Sequence, residues 1–517
     1  MPEHFRALVV ILVLAGVVYA LARRPASEWA MAEHDFVRRR NLWFGITLIA
    51  FFAHSFWVFM AITAALLLYV RRREANIVAL FVWLMFAVPP FGAQLGGLGV
   101  INQLLELNYL RVLSLVLLVP AYFRLRRDSQ WTLPDALIAG YLLIQLGLQL
   151  SVDSATNTAR YGLYALLDMV LPYYVASRSL RDIRAFRELA MCFVVVAMVM
   201  SAIAIFETVR GWLLYSALDR TLDVRWGYGN YLARSGSVRA QVSTGQPIAL
   251  GYVIAVAIGL YLYVGQTVSD RTRRWIGHAL LFGGLVASLS RGPWVGALVA
   301  VIGYRVAGPK LVGGTLKVLL WGGAVVGVVL LSPWGAQVVD FLPFVGTVDE
   351  FNVDYRRQLM DLSIAMIAQE PWFGVSQFYY RLADQGMVAG GMVDVVNTYI
   401  GVALSNGVIA LTCFMGAFAV VMWRMYRTMR WFAEPGDERR ALGCGLMAAL
   451  LCTVVTIATT SSVSVIPFVY WTLLGAGWGY VRFLEEEMVA ASQALEPETA
   501  PQPRYGYRRG GGALGAR

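Results

Sequence analysis

Apolar runs recur along the whole chain, separated by short stretches in which arginine is the commonest polar residue. They fall at about residues 7–21, 42–70, 76–91, 109–123, 134–150, 160–176, 186–209, 247–264, 275–289, 293–304, 315–331, 397–423, 441–457 and 463–483. Most are long enough to carry a helix across a hydrocarbon layer about 30 Å thick. The pattern predicts an all-α polytopic membrane protein with roughly 12–14 transmembrane helices. One membrane domain, residues 1–483, accounts for it. Residues 484–517 then form a polar tail with Pro501, Pro503, Arg504, Arg508 and Arg509 and a glycine-rich end, expected to be disordered and cytoplasmic. The first run follows Arg6 and imitates a signal peptide, but lacks a small-residue cleavage site, so it is read as a retained helix.

The breaks between runs are of two kinds. Arginines, with lysines at 310 and 317, crowd at 71–73, 124–127, 178–187, 271–274, 305–317 and 424–440. Such clusters mark cytoplasmic loops. Alternation then puts two long polar segments on the other side, a first outer loop at 210–246 and a large outer loop at 332–396. The stretch 23–41 breaks the alternation, because Arg23, Arg24, Arg38, Arg39 and Arg40 would face outward if residues 42–70 crossed only once. Either that run is a pair broken near His54 and Ser55, or the first helix is inverted.

Composition changes the picture in two respects. With 58% hydrophobic and 15% charged residues, the chain falls well below the roughly 25% charged of a soluble domain, so water is not the solvent for most of it. The net charge of +11 belongs to the cytoplasmic clusters and calls for no nucleic acid. Cys192, Cys413, Cys444 and Cys452 lie singly in apolar runs, which suits neither a disulfide framework nor a zinc site.

Candidate chemistry sits in and beside the two outer loops. In the first, Arg239 precedes the run Ala240-Gln-Val-Ser-Thr-Gly-Gln-Pro247, whose Gly245 and Pro247 predict a turn feeding a helix. The free N–H groups of such a helix start, beside an arginine, suit a phosphate; the plainer alternative is an arginine snorkelling to lipid headgroups. Arg291 interrupts otherwise apolar sequence in Ser288-Leu-Ser-Arg-Gly-Pro-Trp294, either a functional charge at depth or a turn arginine at the outer surface. In the large loop, Leu359, Leu362, Ile364, Met366 and Ile367 predict an amphipathic helix over about 355–368, lying on the membrane, with Arg356 near its start and Pro371 ending it. The acids of that loop, among them Glu350, Asp354 and Asp394, read by themselves as a solvated face.

At these places the sequence resembles the O-antigen ligase and polymerase superfamily of bacterial surface polysaccharide assembly. The resemblance rests on Arg239 eight residues before Pro247, on Ser290-Arg291-Gly292 with Trp294 and Gly296, and on Arg356 leading into Met366-Ile-Ala-Gln-Glu-Pro-Trp-Phe-Gly-Val375. Its last part is Asn397-Thr-Tyr-Ile-Gly-Val-Ala-Leu-Ser-Asn-Gly407. It spans about residues 234–414. It implies a glycosyltransferase that takes glycan from a polyprenyl diphosphate carrier at the periplasmic face of the inner membrane, without metal or other cofactor. Arg239, Arg291 and Arg356 would hold the diphosphate. The implied partners are the polyprenyl-diphosphate-linked saccharide, a growing glycan acceptor and membrane lipid, with a flippase and a chain-length regulator of the same assembly system.

One departure matters. Ligases of the family carry a histidine directly before the asparagine that matches Asn397, and here Val396 stands there; the histidines of this chain are His4, His34, His54 and His278, none in the large loop. Asp394 is the candidate catalytic carboxylate in its place, with Asp354 or Glu350 as alternatives. The missing imidazole favours a polymerase of lipid-linked repeat units for an exopolysaccharide, capsule or O-antigen over a ligase moving finished glycan to lipid core or protein. A transporter or flippase for the same lipid-linked sugars, or an assembly subunit without catalysis, are readings of other classes; no repeated halves support the transporter.

Overall fold

The computed structural model describes residues 2–97, 103–126, 130–224, 230–234, 236–308, 350–375, 377–387, 393, 395–432 and 436–495. Helices make up almost all of it. In order they are α1 (Glu3–Trp29), α2 (Glu33–Phe52), α3 (Phe56–Val70), α4 (Ile77–Met85), α5 (Tyr109–Leu113), α6 (Val119–Leu125), α7 (Leu133–Val152), α8 (Ala155–Ala165), α9 (Leu171–Ser179), α10 (Ile183–Arg210), α11 (Leu218–Thr221), α12 (Pro247–Thr267), α13 (Arg271–Ala287) and α14 (Arg291–Ala307). Within the large loop come α15 (Glu350–Gln369) and α16 (Phe378–Asp384), and after it α17 (Thr398–Met429), α18 (Glu438–Ile457) and α19 (Ile466–Leu495). Two short antiparallel hairpins, β1 (Gly92–Gly96) with β2 (Gln103–Asn108) and β3 (Ala233–Arg234) with β4 (Ser237–Val238), are the described sheet. Six described helices, α1, α7, α10, α12, α17 and α18, are long and apolar enough to cross a membrane. The protein is an all-α polytopic membrane protein. The span expected at 315–331, and residues 332–349 of the large loop, lie outside the described residues.

Apolarity sorts the helices. α12 is buried along nearly its whole length and packs against α10, α13, α14 and α18, whereas α7 keeps most of its surface exposed. A bundle in lipid needs no apolar seam to hold it together, so its centre is set by close packing rather than by escape from water.

The bundle has two ends of opposite chemistry. At one end Trp29 packs edge-on against Tyr263 at 5.3 Å between ring centroids, Tyr263 Oη donates to Glu438 at 2.9 Å, and Arg187 pairs with the same carboxylate. Arg39, fully buried, pairs there with Glu74 and, at 2.8 Å, with Glu188. At the other end Trp212 Nε1 donates to Glu3 at 3.1 Å, Phe56 N donates to Leu222 O at 3.0 Å, and Thr398 N donates to Thr460 O at 3.0 Å.

These contacts resolve the anomaly at 23–41. The run 42–70 is broken at Ala53–Ser55, where His54 takes a left-handed φ of 51°, into the separate helices α2 and α3. α1 runs from the loop end down to the arginine-rich end, α2 returns and α3 descends again. Arg23, Arg38 and Arg39 thereby rejoin the other arginine clusters, where they find Glu33 and Glu74. The last helix continues to Leu495, beyond the membrane domain expected to end at 483; the tail from 496 lies outside the described residues.

The amphipathic helix of the large loop forms as α15, but its environment differs from the expected one. Leu359 and Met366 pack with Val375, Phe378, Leu382 and Leu404 in a small core separate from the bundle. The apolar side that sequence assigned to lipid is in part a protein interface, because α16 and the start of α17 fold back over it. Met360 and Ile364 stay exposed.

Candidate functional site

Both outer loops lie at the same end of the bundle, and the turn between α13 and α14 joins them. The first loop is tied down from below by Glu207, buried near the end of α10. Its Oε2 accepts from the backbone N–H of Gln241 and of Val242, each at 3.0 Å, and its Oε1 accepts from Leu214 N at 2.9 Å. A carboxylate saturated by backbone donors is spent on position, since those N–H groups would otherwise be buried without partners. Val242 is held at φ 48°, a conformation that β-branched residues rarely adopt.

The α13–α14 turn is bent in the same way, with Leu289 at φ 46°. Its carbonyls face the first loop. Ala240 N donates to Ala287 O at 3.1 Å, Arg234 Nη1 donates to Leu289 O at 2.6 Å, and Arg239 Nη2 donates to Ser290 Oγ at 2.8 Å, with Nε at 3.5 Å from Ser288 O. Ser290 immediately precedes α14, so Arg291 opens that helix directly beside the contact. Two strained non-glycine residues within a few positions of these arginines mark a geometry that packing alone would not select.

The outcome is a cluster of arginines. Arg234 feels the positive charges of Arg291 and Arg356, and Arg239 those of Arg234 and Arg356. Burial first, and this mutual repulsion second, lower the proton affinity of Arg234 and bring Arg239 down to about 10. No ion pair to an acid is formed by Arg234, Arg239 or Arg356 among the described residues. Cations brought together at a cost form the kind of cluster that a polyvalent anion would relieve.

Of the residues that sequence singled out, Arg239, Arg291 and Arg356 therefore converge although 117 positions separate the first from the last. Arg239 is half-buried, and Arg356 lies exposed on α15. Arg234 joins them without having been selected, as does Glu207 as their support. The signal for Arg234 was its place five residues before Arg239; that for Glu207 was an acid inside an apolar run. Asp394 lies outside the described residues. Asp354, its alternative, is exposed on α15, two residues before Arg356.

The remaining motifs build the scaffold. Asn397 caps α17, its Oδ1 accepting from Tyr399 N at 2.9 Å and Ile400 N at 3.3 Å. α17 is interrupted at Gly407, with φ 80°, and the loop Pro371–Val375 enters the break: Val375 N donates to Leu404 O at 2.7 Å and Val408 N to Pro371 O at 2.8 Å. A Cβ at Gly407 would collide with the Trp372 carbonyl, and one at Gly374 with the backbone of Leu404. The two glycines of the motifs let loop and helix backbones touch.

A cavity of about 970 Å³ opens at the same end of the bundle, between α7, α8, the loop 373–377 with α16, and α17. Gln246, just before α12, and Ser461 and Ser462, just after α18, belong to its wall. Gly292, next to Arg291, packs on Thr459, two residues before Ser461 of the cavity wall.

Compared with known proteins, residues 276–415 match the family model described as O-antigen ligase. The matched stretch includes Arg291, Arg356, Asn397 and the Gly407 break, and Arg234 and Arg239 precede it. No curated protein matches the chain.

Proposed function

We propose, from the premise that this multi-pass membrane protein carries an O-antigen ligase domain over residues 276–415, that it is a metal-independent glycosyltransferase polymerising polyprenyl-diphosphate-linked repeat units of an exopolysaccharide, capsule or O-antigen. The loop end faces the periplasm and the membrane is the bacterial inner membrane, in keeping with the arginine clusters of the opposite end.

The observation that carries the reading is the convergence of Arg234, Arg239, Arg291 and Arg356 at the loop end. In the reaction an acceptor hydroxyl attacks the anomeric carbon, the bond from that carbon to the diphosphate oxygen breaks, and the diphosphate leaves with the electron pair. Negative charge grows on that oxygen, and preorganised guanidinium groups stabilise it most where water is excluded. Arg239, partly buried and aimed by Ser290, suits that task, and exposed Arg356 suits a looser contact at the rim. The hydroxyl proton needs a base. Asp394, three residues before Asn397, is our candidate, and Asp354 the second. Val396 in place of the histidine of family ligases favours polymerase over ligase.

The test is to express Arg239→Ala and Arg291→Ala singly in a strain lacking the native protein, confirm membrane insertion, and resolve surface and carrier-linked glycans on gels. The proposal requires collapse to single repeat units with accumulation on the carrier. Full-length glycan left on the carrier would favour the ligase. Normal glycan from both variants would remove the diphosphate assignment and favour a transporter or assembly subunit.

A further inference from the structure

The cavity at the loop end differs from the arginine cluster in kind. Among its described lining residues the charged group is one carboxylate, Asp153, and no arginine or lysine takes part. Among the described lining residues a diphosphate has no counter-charge. What the walls offer is aromatic rings and neutral hydrogen-bonding groups. Tyr161, Phe373, Tyr379 and Tyr380 line the cavity, and Tyr380 is 69% exposed. Beside them stand amides and hydroxyls, with Gln145 and Gln149 on α7, Asn397 and Ser405 on α17, and Ser461 and Ser462 after α18. Rings at a membrane protein's interface commonly anchor it in headgroups. Anchoring rings face outward from a convex surface, whereas these share a concavity with amides from another helix.

That combination suits one class of ligand. Sugar rings are amphipathic, with C–H faces that lie on aromatic faces and rims of hydroxyls that exchange hydrogen bonds with amides and carboxylates. Asp153 is held ionised by its donors, Asn157 Nδ2 and Ser154 N at 2.7 Å each on Oδ1 and Gln149 Nε2 at 3.1 Å on Oδ2, and Oδ2, with that single exposed donor, keeps room to accept from a ligand hydroxyl. A volume of about 970 Å³ exceeds a single monosaccharide and suits a few linked rings. Ser461 of the wall is two residues from Thr459, on which Gly292 packs next to Arg291, so a glycan extending from a diphosphate held at Arg291, or approaching it, would reach this space.

We infer that this cavity is an oligosaccharide-binding site for uncharged sugar rings, with Tyr379 and Tyr380 as stacking platforms and Gln149 and Asp153 as hydrogen-bonding partners. The inference rests on the proposed glycosyl transfer for its ligand's origin, which is either the acceptor chain's end or the donor's own repeat unit.

The experiment uses the full chain in lipid nanodiscs and, as probe, oligosaccharides of two or three repeat units released by mild acid from the host's surface glycan and free of diphosphate. Calorimetry is expected to show binding that Tyr380→Ala or Gln149→Ala weakens by about three- to tenfold and that Tyr380→Phe, which keeps the ring, restores. Absence of binding, or affinity indifferent to both variants, overturns the inference even if Arg239→Ala abolishes polymer. Retention of fragment binding by Arg239→Ala with polymer lost supports both readings, and retention of polymer by that variant removes only the diphosphate assignment. Gels of the Tyr380→Ala strain separate the two sources. Normal short products with failed extension identify the acceptor's end, and a uniform loss that includes the first linkage identifies the donor's glycan.

Discussion

Arg239 Nη2 donates to Ser290 Oγ at 2.8 Å and so ties the first outer loop to the turn that opens α14. The contact fixes a guanidinium next to Arg291 and within reach of the charges of Arg234 and Arg356. Crowding of this kind is unfavourable, and on the proposed function a bound diphosphate would relieve it.

The pH dependence follows from that relation. Arg239 binds its proton less tightly folded, at about 10, than unfolded. Between those values the unfolded chain holds more protons, so the penalty is fully present below about pH 10 and is relieved as pH rises through it. Donor-dependent activity should be flat in this group's ionisation from neutrality to about pH 9 and fall above 10, while thermal stability gains from the same deprotonation. Inorganic pyrophosphate at neutral pH should raise the melting temperature, and Arg239→Ala should abolish that rise; a rise of equal size in the variant would place the anion elsewhere.

Glu207 should matter as much as the arginines without touching substrate. Glu207→Ala orphans three buried N–H groups, at about 1–3 kcal/mol each. Loss of folded protein, or of activity at normal expression, is expected from yield and glycan gels. Glu207→Gln keeps acceptor capacity on one oxygen and should fall in between.

Gly407→Ala and Gly374→Ala each place a Cβ against opposing backbone at φ near 80°. Strain alone costs about 1–3 kcal/mol, before the collision is counted. The α15–α16 unit should detach, seen as rapid proteolysis within 350–387 while the bundle stays intact. A variant as resistant as the native chain would show that the break in α17 tolerates a side chain.

At the opposite end, Arg39→Met strands Glu188 and leaves Glu74 with Arg38 alone in a buried place. Breaking a buried ion pair from one side costs about 3–5 kcal/mol, so detergent-extracted protein should be largely unfolded. Restoring neutrality with Glu74→Gln in the same chain should recover part of the loss.

The path of the first helices is checked by single cysteines labelled from outside with a membrane-impermeant reagent. Positions 5 and 236 should react, and position 24 should not, because α1 starts at the loop end and α2 begins at the other. Labelling at 24 alone would restore the opposite orientation.

Residue types and their order along the chain sufficed for the class of the protein, its main helices and three of the four clustered arginines. Long apolar runs have one stable form in lipid, and an arginine breaking such a run is conspicuous. The sequence also carried the break near His54 and Ser55 as one of two alternatives, and contacts at both ends of the bundle selected it. What required tertiary structure were relations between distant segments. Arg234 looked like any loop arginine until Leu289 O and the charges of Arg291 and Arg356 were set beside it. The apolar side of α15 could not declare its partner, since lipid and a protein core select the same residues. The cavity has no sequence signature at all, because Tyr161, Gln149, Tyr380 and Ser462 come from four separate stretches that only the packing of α7, α8, α16 and the end of α18 makes neighbours.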